Sequence, residues 1–251
     1  MPVTGICRQP ANAVRQRTAD TLTAMAGTVK ATAATTNLRE RKKQRTRQRL
    51  IDTALELFTE RGFDATTLDD LCDAVEISQR TFFRNFAGKE DVALAPTHDL
   101  WLACLDSLET RPLAPQGTTV LELLRTALLD ALEQVSDDGW THRVALSRRL
   151  AEKTPSMDVR GRQFCDRTSR SILDVLHRRL ELPPSTDPRS LHARLALDMA
   201  VAAFHQALGD WSARQGQQGT PTRRQLAADL RTAFAALPEA LALEARPVAE
   251  S

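Results

Sequence analysis

The sequence lacks the features of a membrane or secreted protein. No stretch reaches the roughly 18 uncharged apolar residues that a membrane-spanning helix requires. The N-terminus contains no apolar segment of the kind found in secretory signals. The four cysteines lie far apart and form no C-x-x-C pair, so the sequence indicates neither a zinc site nor a disulfide framework. We therefore expect a cytoplasmic protein with reduced thiols and no contact with a membrane.

The sequence also lacks a grouping of residues suited to catalysis. Its five histidines are His98, His142, His177, His192 and His205. They show no metal-ligand spacing and no nearby Ser or Cys in the arrangement of a nucleophile. His205 lies in a very apolar stretch, where a place in the core or at a cavity edge is commoner than a catalytic role. We therefore predict that the chain is not an enzyme and binds no metal or cofactor.

Helical periodicity dominates what the sequence does contain. The composition, 42% hydrophobic and 26% charged, is ordinary for a globular protein, and 251 residues suffice for two small domains. Apolar residues recur at three- and four-residue intervals from Leu38 onward, with no β pattern. We predict an all-α fold with helical domains over 38–92 and 93–240, between a disordered tail over 1–37 and a C-terminal tail over 241–251. The first tail, Arg-bearing and acid-poor, also has the bias of an organelle transit peptide.

Positive charge is concentrated at the start of the chain. The first fifty residues hold eleven Lys and Arg residues against Asp20 and Glu40, whereas the net charge of the whole chain is only +2. The run RERKKQRTRQR at 39–49 fills the first turns of a helix predicted over 40–60, where positive charges oppose the helix dipole. A solvated basic face is one interpretation, but we favour contact with a polyanion such as DNA, with Arg45 among the contacts.

Two short helices joined by a tight turn are predicted next. Thr66 and Thr67 are each followed three residues later by an aspartate, so both offer a capping box for the first short helix. Ser78 can cap the second. Packed on the longer helix over 40–60, this pair forms a helix-turn-helix unit, in which the second helix enters the major groove of DNA. The phenylalanines expected in its core are Phe58, Phe63, Phe82 and Phe86.

Residues 66–92, TTLDDLCDAVEISQRTFFRNFAGKEDV, together with the preceding helix, resemble the DNA-binding domain of the TetR family of bacterial regulators. An RGFxxTT junction, an SxxTFFRxF helix and a KED run occur in the family's order and spacing over residues 45–92. The resemblance implies a three-helix DNA-binding domain followed by a helical domain for ligand binding and dimerisation. It also implies a homodimeric regulator of transcription, most often a repressor.

The resemblance assigns roles to individual side chains. It implies that the recognition helix starts at Ser78 and turns Gln79, Arg80 and Thr81 toward the major groove. The chemistry agrees, since Arg can hydrogen-bond guanine and Gln can hydrogen-bond adenine. Thr67, Asn85 and Lys89 match family positions that contact phosphate. The full set of expected DNA contacts is Arg45, Thr67, Ser78, Gln79, Arg80, Thr81, Phe83, Arg84, Asn85 and Lys89.

Three positions depart from the family's pattern. Glu76 occupies the turn where glycine is common, so it must adopt that backbone geometry and it adds a negative charge near the DNA. Phe83 stands where many members have a tyrosine whose hydroxyl contacts phosphate. Cys72 replaces the usual alanine, and we expect it to act as a small buried hydrophobe.

The second domain is predicted to consist of helices over 88–108, 118–135, 140–153, 157–181, 188–214 and 222–237. The stretch from Leu195 to Leu208 is apolar nearly all round, so it must be covered on several sides. One seam of this stretch can face a second subunit, as the resemblance implies for the last two helices, or both seams can be internal. The residues predicted for a dimer interface are Ala196, Ala200, Ala203, Ala207, Leu226, Leu230 and Phe234.

A ligand pocket is predicted in the same domain, although Met and aromatic residues at helical spacing are more often plain core. Its candidate residues are Trp101, Trp140, Arg143, Met157, Phe164 and Met199. Residues 157–237 are also weakly similar to mycofactocin-regulator-like TetR proteins, some of which bind acyl-CoA-type ligands. We therefore expect an effector that is small and apolar or acyl-CoA-like.

These observations predict a repressor that a small-molecule effector releases from operator DNA. The competing hypotheses are a dimeric DNA-binding regulator without a ligand and a helical enzyme with a DNA-binding domain. For the effector response, Pro96 is either a hinge inside the only helix that joins the two domains or simply a helix boundary.

Overall fold

A computed structural model describes residues 39–112, 117–135, 139–184, 187, 190–214 and 222–244. No β-strand occurs among these residues, which confirms the all-α prediction. The helices are α1 (39–61), α2 (Leu68–Val75), α3 (Gln79–Phe83), α4 (Lys89–Thr110), α5 (Val120–Gln134), α6 (Trp140–Ala151), α7 (Pro155–Arg179), α8 (Leu191–Ala213) and α9 (Arg223–Leu241). None of the described helices is long and apolar enough to cross a membrane. The tail predicted over 1–37 lies outside the described residues, as does 245–251.

The chain divides into two compact bodies, residues 1–49 and residues 50–251. In the first body, residues 39–49 are helical and mostly exposed, and the Thr46 hydroxyl donates to the Lys42 carbonyl at 3.1 Å. Arg45 is one of the exposed residues. Its contact with phosphate stays a prediction.

The helix-turn-helix portion of the second body, residues 50–95, has its own apolar core. All four phenylalanines predicted for this core, Phe58, Phe63, Phe82 and Phe86, are buried there. Cys72 is also buried, as expected. Leu146 of α6 and Met157 of α7 belong to the same cluster, so the core extends beyond the domain boundary predicted at residue 92.

The two threonines before α2 have different roles. Thr67 is the N-cap, since its side chain accepts from the Asp70 N–H at 3.1 Å while its own N–H donates to the Asp70 carboxylate at 2.7 Å. Thr66 is fully buried instead, and its hydroxyl donates to the Gly62 carbonyl at 2.9 Å. Local spacing allowed both threonines as caps, and burial against α1 decides between them.

A second and larger apolar cluster lies in the part of the chain after residue 99, where α4, α5, α8 and α9 pack together. Six of the seven residues predicted for a dimer interface are buried in this cluster within one chain. They are Ala200, Ala203, Ala207, Leu226, Leu230 and Phe234, none of them more than 5% exposed. These six side chains have no surface to offer a second subunit, so the prediction of a dimer seam there is corrected to an internal contact of α8 with α9. Ala196 alone is half-buried.

The turn between α2 and α3 contains a strained residue. Glu76 has φ 58° and ψ 48°, the left-handed conformation that glycine adopts without cost. Its N–H donates to the Asp73 carbonyl at 3.1 Å, and the next N–H, of Ile77, donates to the Cys72 carbonyl at 2.9 Å. The geometry expected from the family's usual glycine is thus present with a glutamate in place.

Replacing Glu76 with glycine should stabilise the protein. The left-handed strain of a non-glycine residue is about 1 to 2 kcal/mol, and part of its relief is offset by the greater freedom of glycine in the unfolded chain. We therefore expect Glu76→Gly to raise the free energy of unfolding by about 0.5 to 1 kcal/mol relative to Glu76→Ala. Both variants lose the charge, so urea denaturation of the pair isolates the backbone effect. Equal stabilities would contradict it.

Candidate DNA-binding surface and internal pocket

Helix α3 presents its polar residues outward. Ser78 caps the helix by accepting from the Thr81 N–H at 3.3 Å, and Phe82 anchors it in the core with no exposed surface. Arg80 is exposed, and its guanidinium has no partner among the residues that the structure describes. Phe83 is 53% exposed, a large apolar side chain left in solvent.

Several of the predicted contact residues already have partners in the protein. The Gln79 amide donates to the Asp69 carboxylate at 2.6 Å, which ties the first turn of α3 to α2. The Thr67 hydroxyl donates to Asp70 at 2.6 Å, and hydrogen bonds from Thr67 lower the pKa of that carboxyl. These hydrogen bonds stabilise the helix-turn-helix. Contact of Gln79 and Thr67 with DNA stays a prediction, and it requires each side chain either to leave its aspartate or to use a hydrogen-bonding position that the aspartate does not occupy.

Lys89 has a structural role that the sequence did not reveal. Its Nζ donates to the carbonyls of Phe63 and Thr66, both at 2.8 Å, and lies 4.7 Å from the centroid of the Phe63 ring. The ammonium thus fastens the start of α4 to the loop before α2. One of its three N–H groups is left over, and contact with phosphate through that group stays a prediction.

Asn85 follows the recognition helix and is only partly satisfied. Its amide nitrogen donates to the Thr81 carbonyl at 2.8 Å, whereas its Oδ1 is buried without a hydrogen-bond partner. An amide held this way retains one N–H for another acceptor. Its contact with phosphate also stays a prediction.

A cavity of about 250 Å³ lies in the rear part of the second body. Helices α4, α6, α7 and α8 all contribute to its walls. Three of the six predicted pocket residues, Trp101, Met157 and Phe164, line this cavity. One wall carries a stacked pair, since the rings of His98 and Phe164 lie 3.6 Å apart at an angle of 11°.

The other three predicted pocket residues lie elsewhere. The Trp140 Nε1 donates to the carbonyl of Pro96 at 3.0 Å, so this indole joins α6 to α4. Arg143 is buried and pairs with Asp52 of α1 at 3.2 Å. Met199 is half-buried on α8 and is not among the lining residues of the cavity. These contacts correct the predicted pocket, and they also show that α4 is not the only element joining the two domains.

An ion pair links α4 to α7 beside the cavity. Arg160 donates to both carboxylate oxygens of Asp91, at 2.5 and 2.6 Å, and Asp91 also accepts from the Ala87 N–H at 3.1 Å. Burial opposes ionisation of Asp91, but the hydrogen bonds and charge of Arg160 outweigh it and hold the pKa of Asp91 below its usual range. Ala87 lies between α3 and α4, so the pair connects the cavity wall to the end of the DNA-binding domain.

Arg148 and Arg160 could not be singled out from the sequence. Arg148 belongs to α6 and Arg160 to α7, two helices with many charged residues on their exposed faces, and the spacing of these two arginines does not distinguish them from their neighbours. Arg160 differs from the other arginines of α7 because it pairs with Asp91 of α4, and Arg148 differs from its neighbour Arg149 because it lines the cavity. Among the described residues no group of three or more His, Cys, Asp or Glu side chains could hold a metal ion.

Comparison with known proteins agrees with this geometry. The family model described as "Bacterial regulatory proteins, tetR family" matches residues 50–95, from α1 to the start of α4. Residues 50–95 are thus similar to the DNA-binding region of the TetR family. TcmR, an HTH-type transcriptional regulator of Streptomyces glaucescens, is 42% identical over 126 residues, covering 48% of this chain and 54% of TcmR. IcaR, a negative transcriptional regulator of the biofilm operon in Staphylococcus epidermidis, is 37% identical over 46 residues, 18% of this chain and 25% of IcaR.

The chain thus spans about half the length of TcmR and a quarter of IcaR. Both are named as transcriptional regulators and not as enzymes. Among solved structures, the repressor FadR of Thermus thermophilus, in complex with lauroyl-CoA, is 22% identical with a TM-score of 0.45, covering 82% of this chain and 100% of FadR. A TetR-family regulator from Mesorhizobium loti is 16% identical with a TM-score of 0.41, covering 79% and 97%.

Lys89→Met should destabilise the DNA-binding portion. The substitution keeps an unbranched, flexible side chain but removes the two hydrogen bonds to carbonyls and the cation–π contact with the Phe63 ring. We expect a loss of about 1.5 to 3 kcal/mol in the free energy of unfolding. Arg80→Met is the matched control and should change stability by less than about 0.5 kcal/mol. Urea denaturation measures both, and an unchanged midpoint for Lys89→Met would show that the contact is not formed in solution.

The Asp91–Arg160 pair should make stability depend on acid pH. Because the folded pKa of Asp91 is depressed, its contribution is complete above the unfolded pKa of about 3.9 and is lost as pH falls through the folded pKa. The gap in unfolding free energy between the wild type and Asp91→Asn should therefore be largest above about pH 5 and should narrow toward about pH 2. Asp158→Asn, at an exposed aspartate, is the control, and its gap in unfolding free energy from the wild type should stay small at every pH. A gap independent of pH would exclude the assignment.

Proposed function

We propose that the chain is a dimeric transcriptional regulator that binds operator DNA and is released from it by a small-molecule effector. The observation that carries the proposal is the capped recognition helix α3, which exposes Arg80 within the portion matching the TetR family. We propose that the protein represses transcription, because regulators that resemble it are most often repressors. Since operator DNA lies in the bacterial cytoplasm, we infer that the protein acts there.

Arg80 is the side chain best suited to read a base. Its guanidinium is exposed and unengaged among the described residues, so it can approach guanine O6 and N7 without breaking a contact in the protein. Gln79 is held by Asp69 in the free protein and must leave that carboxylate to read adenine. Arg84 is exposed at the end of α3, and we propose that it contacts the phosphate backbone.

A dimer is required because one recognition helix covers too few base pairs for useful specificity. With the predicted seam buried inside each chain, the contact must use the outer faces of α8 and α9. Leu191 and Leu195 form an apolar pair one turn apart on α8, 56% and 46% exposed. Ala228 and Ala235 are exposed on α9, and such small side chains allow close approach of a partner helix. We propose these outer faces as the interface.

The effector acts in this proposal by changing how α4 meets α7. Helix α4 is continuous through Pro96, which is therefore not a helix boundary, and a hinge at this residue stays a prediction. Leu94 and His98, on either side of Pro96, both line the cavity. A ligand that separates α7 from α4 would strain the Asp91–Arg160 pair and so the segment leading to α3. Release requires that the ligand bind one arrangement more tightly than the other.

The cavity favours a small effector. Its volume of about 250 Å³ is below the roughly 300 to 1,000 Å³ of pockets for drug-sized ligands. Of the two effector classes expected from the sequence, a compact apolar body fits this volume better than a long acyl chain with its coenzyme.

Selection from random double-stranded oligonucleotides tests operator binding directly. We expect the enriched sequences to contain an inverted repeat whose half-sites lie about one helical turn, roughly 34 to 36 Å, apart. Arg80→Ala should lose about 1 to 3 kcal/mol of affinity for the selected sequence and relax the preference at one position in each half-site. Arg149→Ala, at an exposed arginine of α6, should bind like the wild type. Failure to enrich any sequence, or enrichment of a single unrepeated half-site, would refute the proposal.

A further inference from the structure

One charged group in the cavity wall has no adequate partner. Arg148 lines the cavity from α6, and its Nε is buried without a hydrogen bond. The nearest carboxylate oxygen, of Glu152, lies 3.8 Å from this nitrogen, beyond hydrogen-bond range. A buried donor of a charged group left unsatisfied costs more than a neutral one, so its presence calls for an acceptor.

The other charges at the cavity do not supply that acceptor. Asp158 also lines the cavity, but its carboxylate is taken by Arg162, one turn along α7. His205 also lines the cavity from α8, and desolvation together with the charge of Arg148 lowers the pKa of its imidazole. The ion pair of Arg148 with Glu152, at 3.8 Å, leaves its buried Nε without a hydrogen bond, so this donor is still available to an anion in the cavity.

Two buried hydroxyls accompany this guanidinium. Ser147 and Thr168 line the cavity and are only 2% and 8% exposed, and neither forms a side-chain hydrogen bond with another described residue. Hydroxyls donate readily to a carboxylate, and hydrogen bonds to a charged acceptor are the strong ones. The cavity wall therefore carries a guanidinium and hydroxyls, which are donors suited to a carboxylate or phenolate.

The remaining wall suits a flat apolar body. Trp101 and Met157 are buried side chains of this wall, and Ile172 closes it from α7. Phe164 lines the cavity as well and is stacked on His98, so aromatic rings form part of the wall. The volume of about 250 Å³ accommodates a bicyclic aromatic group.

We propose that the ligand of this cavity is a small aromatic acid whose carboxylate or phenolate is bound by Arg148 and whose rings pack between Trp101 and Phe164. The name effector for this ligand rests on the proposed function, whereas the binding site itself does not. The selectivity is for charge, so a neutral molecule of the same shape binds more weakly.

Isothermal titration calorimetry with a matched pair of probes tests this assignment. The probes are 2-naphthoate and 2-acetylnaphthalene, which share rings and shape and differ in replacing the carboxylate by a neutral ketone. We expect the full-length protein to bind naphthoate at least about tenfold more tightly than the ketone. Arg148→Gln should abolish that preference by weakening naphthoate roughly ten- to a hundredfold, with the ketone unchanged. Arg149→Gln, at the exposed neighbour, should keep the wild-type preference.

Three results would overturn the assignment: no binding of either probe to the wild type, equal affinity for both, or an unchanged affinity of Arg148→Gln for naphthoate. If Arg148→Gln unfolds, Arg148→Met takes its place as the neutral variant: loss of the preference for naphthoate supports the proposal, and an unchanged preference decides against it. Binding is measured without DNA. Operator affinity, followed by fluorescence anisotropy with and without naphthoate, tests the proposed function separately.

Discussion

Helix α4 belongs to both apolar cores, and the rest of the structure depends on this sharing. Its first half buries Val92, Ala93 and Ala95 among the phenylalanines of the DNA-binding portion. Its second half buries Leu100 and Cys104, together with other residues, in the larger cluster behind. Because interiors are close-packed, the helix cannot shift in one core without repacking the other. The two halves of the chain are therefore mechanically coupled even before any ligand is considered.

Neighbouring contacts reinforce that coupling from the side. The indole of Trp140 reaches the Pro96 carbonyl, and Arg143 reaches Asp52, so α6 holds both α4 and α1. Arg160 of α7 forms an ion pair with Asp91 in the first turn of α4. The prediction that α4 alone joins the two domains was therefore wrong, since α6 and α7 also contact the DNA-binding portion or its junction with α4.

Local features were well predicted from the sequence because local rules determine them. The cap at Ser78 and the core phenylalanines follow from residue types within a short stretch of sequence. The left-handed turn at Glu76 was implied by the resemblance to the TetR family, in which glycine is common at this position. Where two local solutions were equally good, as for Thr66 and Thr67, the choice depended on burial against α1 and could not be read from the pattern.

Nonlocal features were predicted less well. A seam of small residues on a helix looks the same whether it meets α9 of its own chain or a second copy, and Ala200 and Ala203 turned out to meet their own chain. Periodicity places Trp140 on an apolar face without showing that its N–H is satisfied by a carbonyl of α4. Arg148 and Arg160 could not be predicted for a similar reason, because α6 and α7 carry charged residues along most of their exposed length.

The arrangement of the three tryptophans has an optical consequence. The chain contains no tyrosine, so its ultraviolet emission arises from tryptophan alone. Trp140 and Trp211 are buried with their indole nitrogens bonded to backbone carbonyls, at 3.0 Å each, and neither lines the cavity. Trp101 does line it. Occupation of the cavity therefore changes the surroundings of one indole while leaving the other two as an internal reference, and the protein carries its own unlabelled fluorescent reporter.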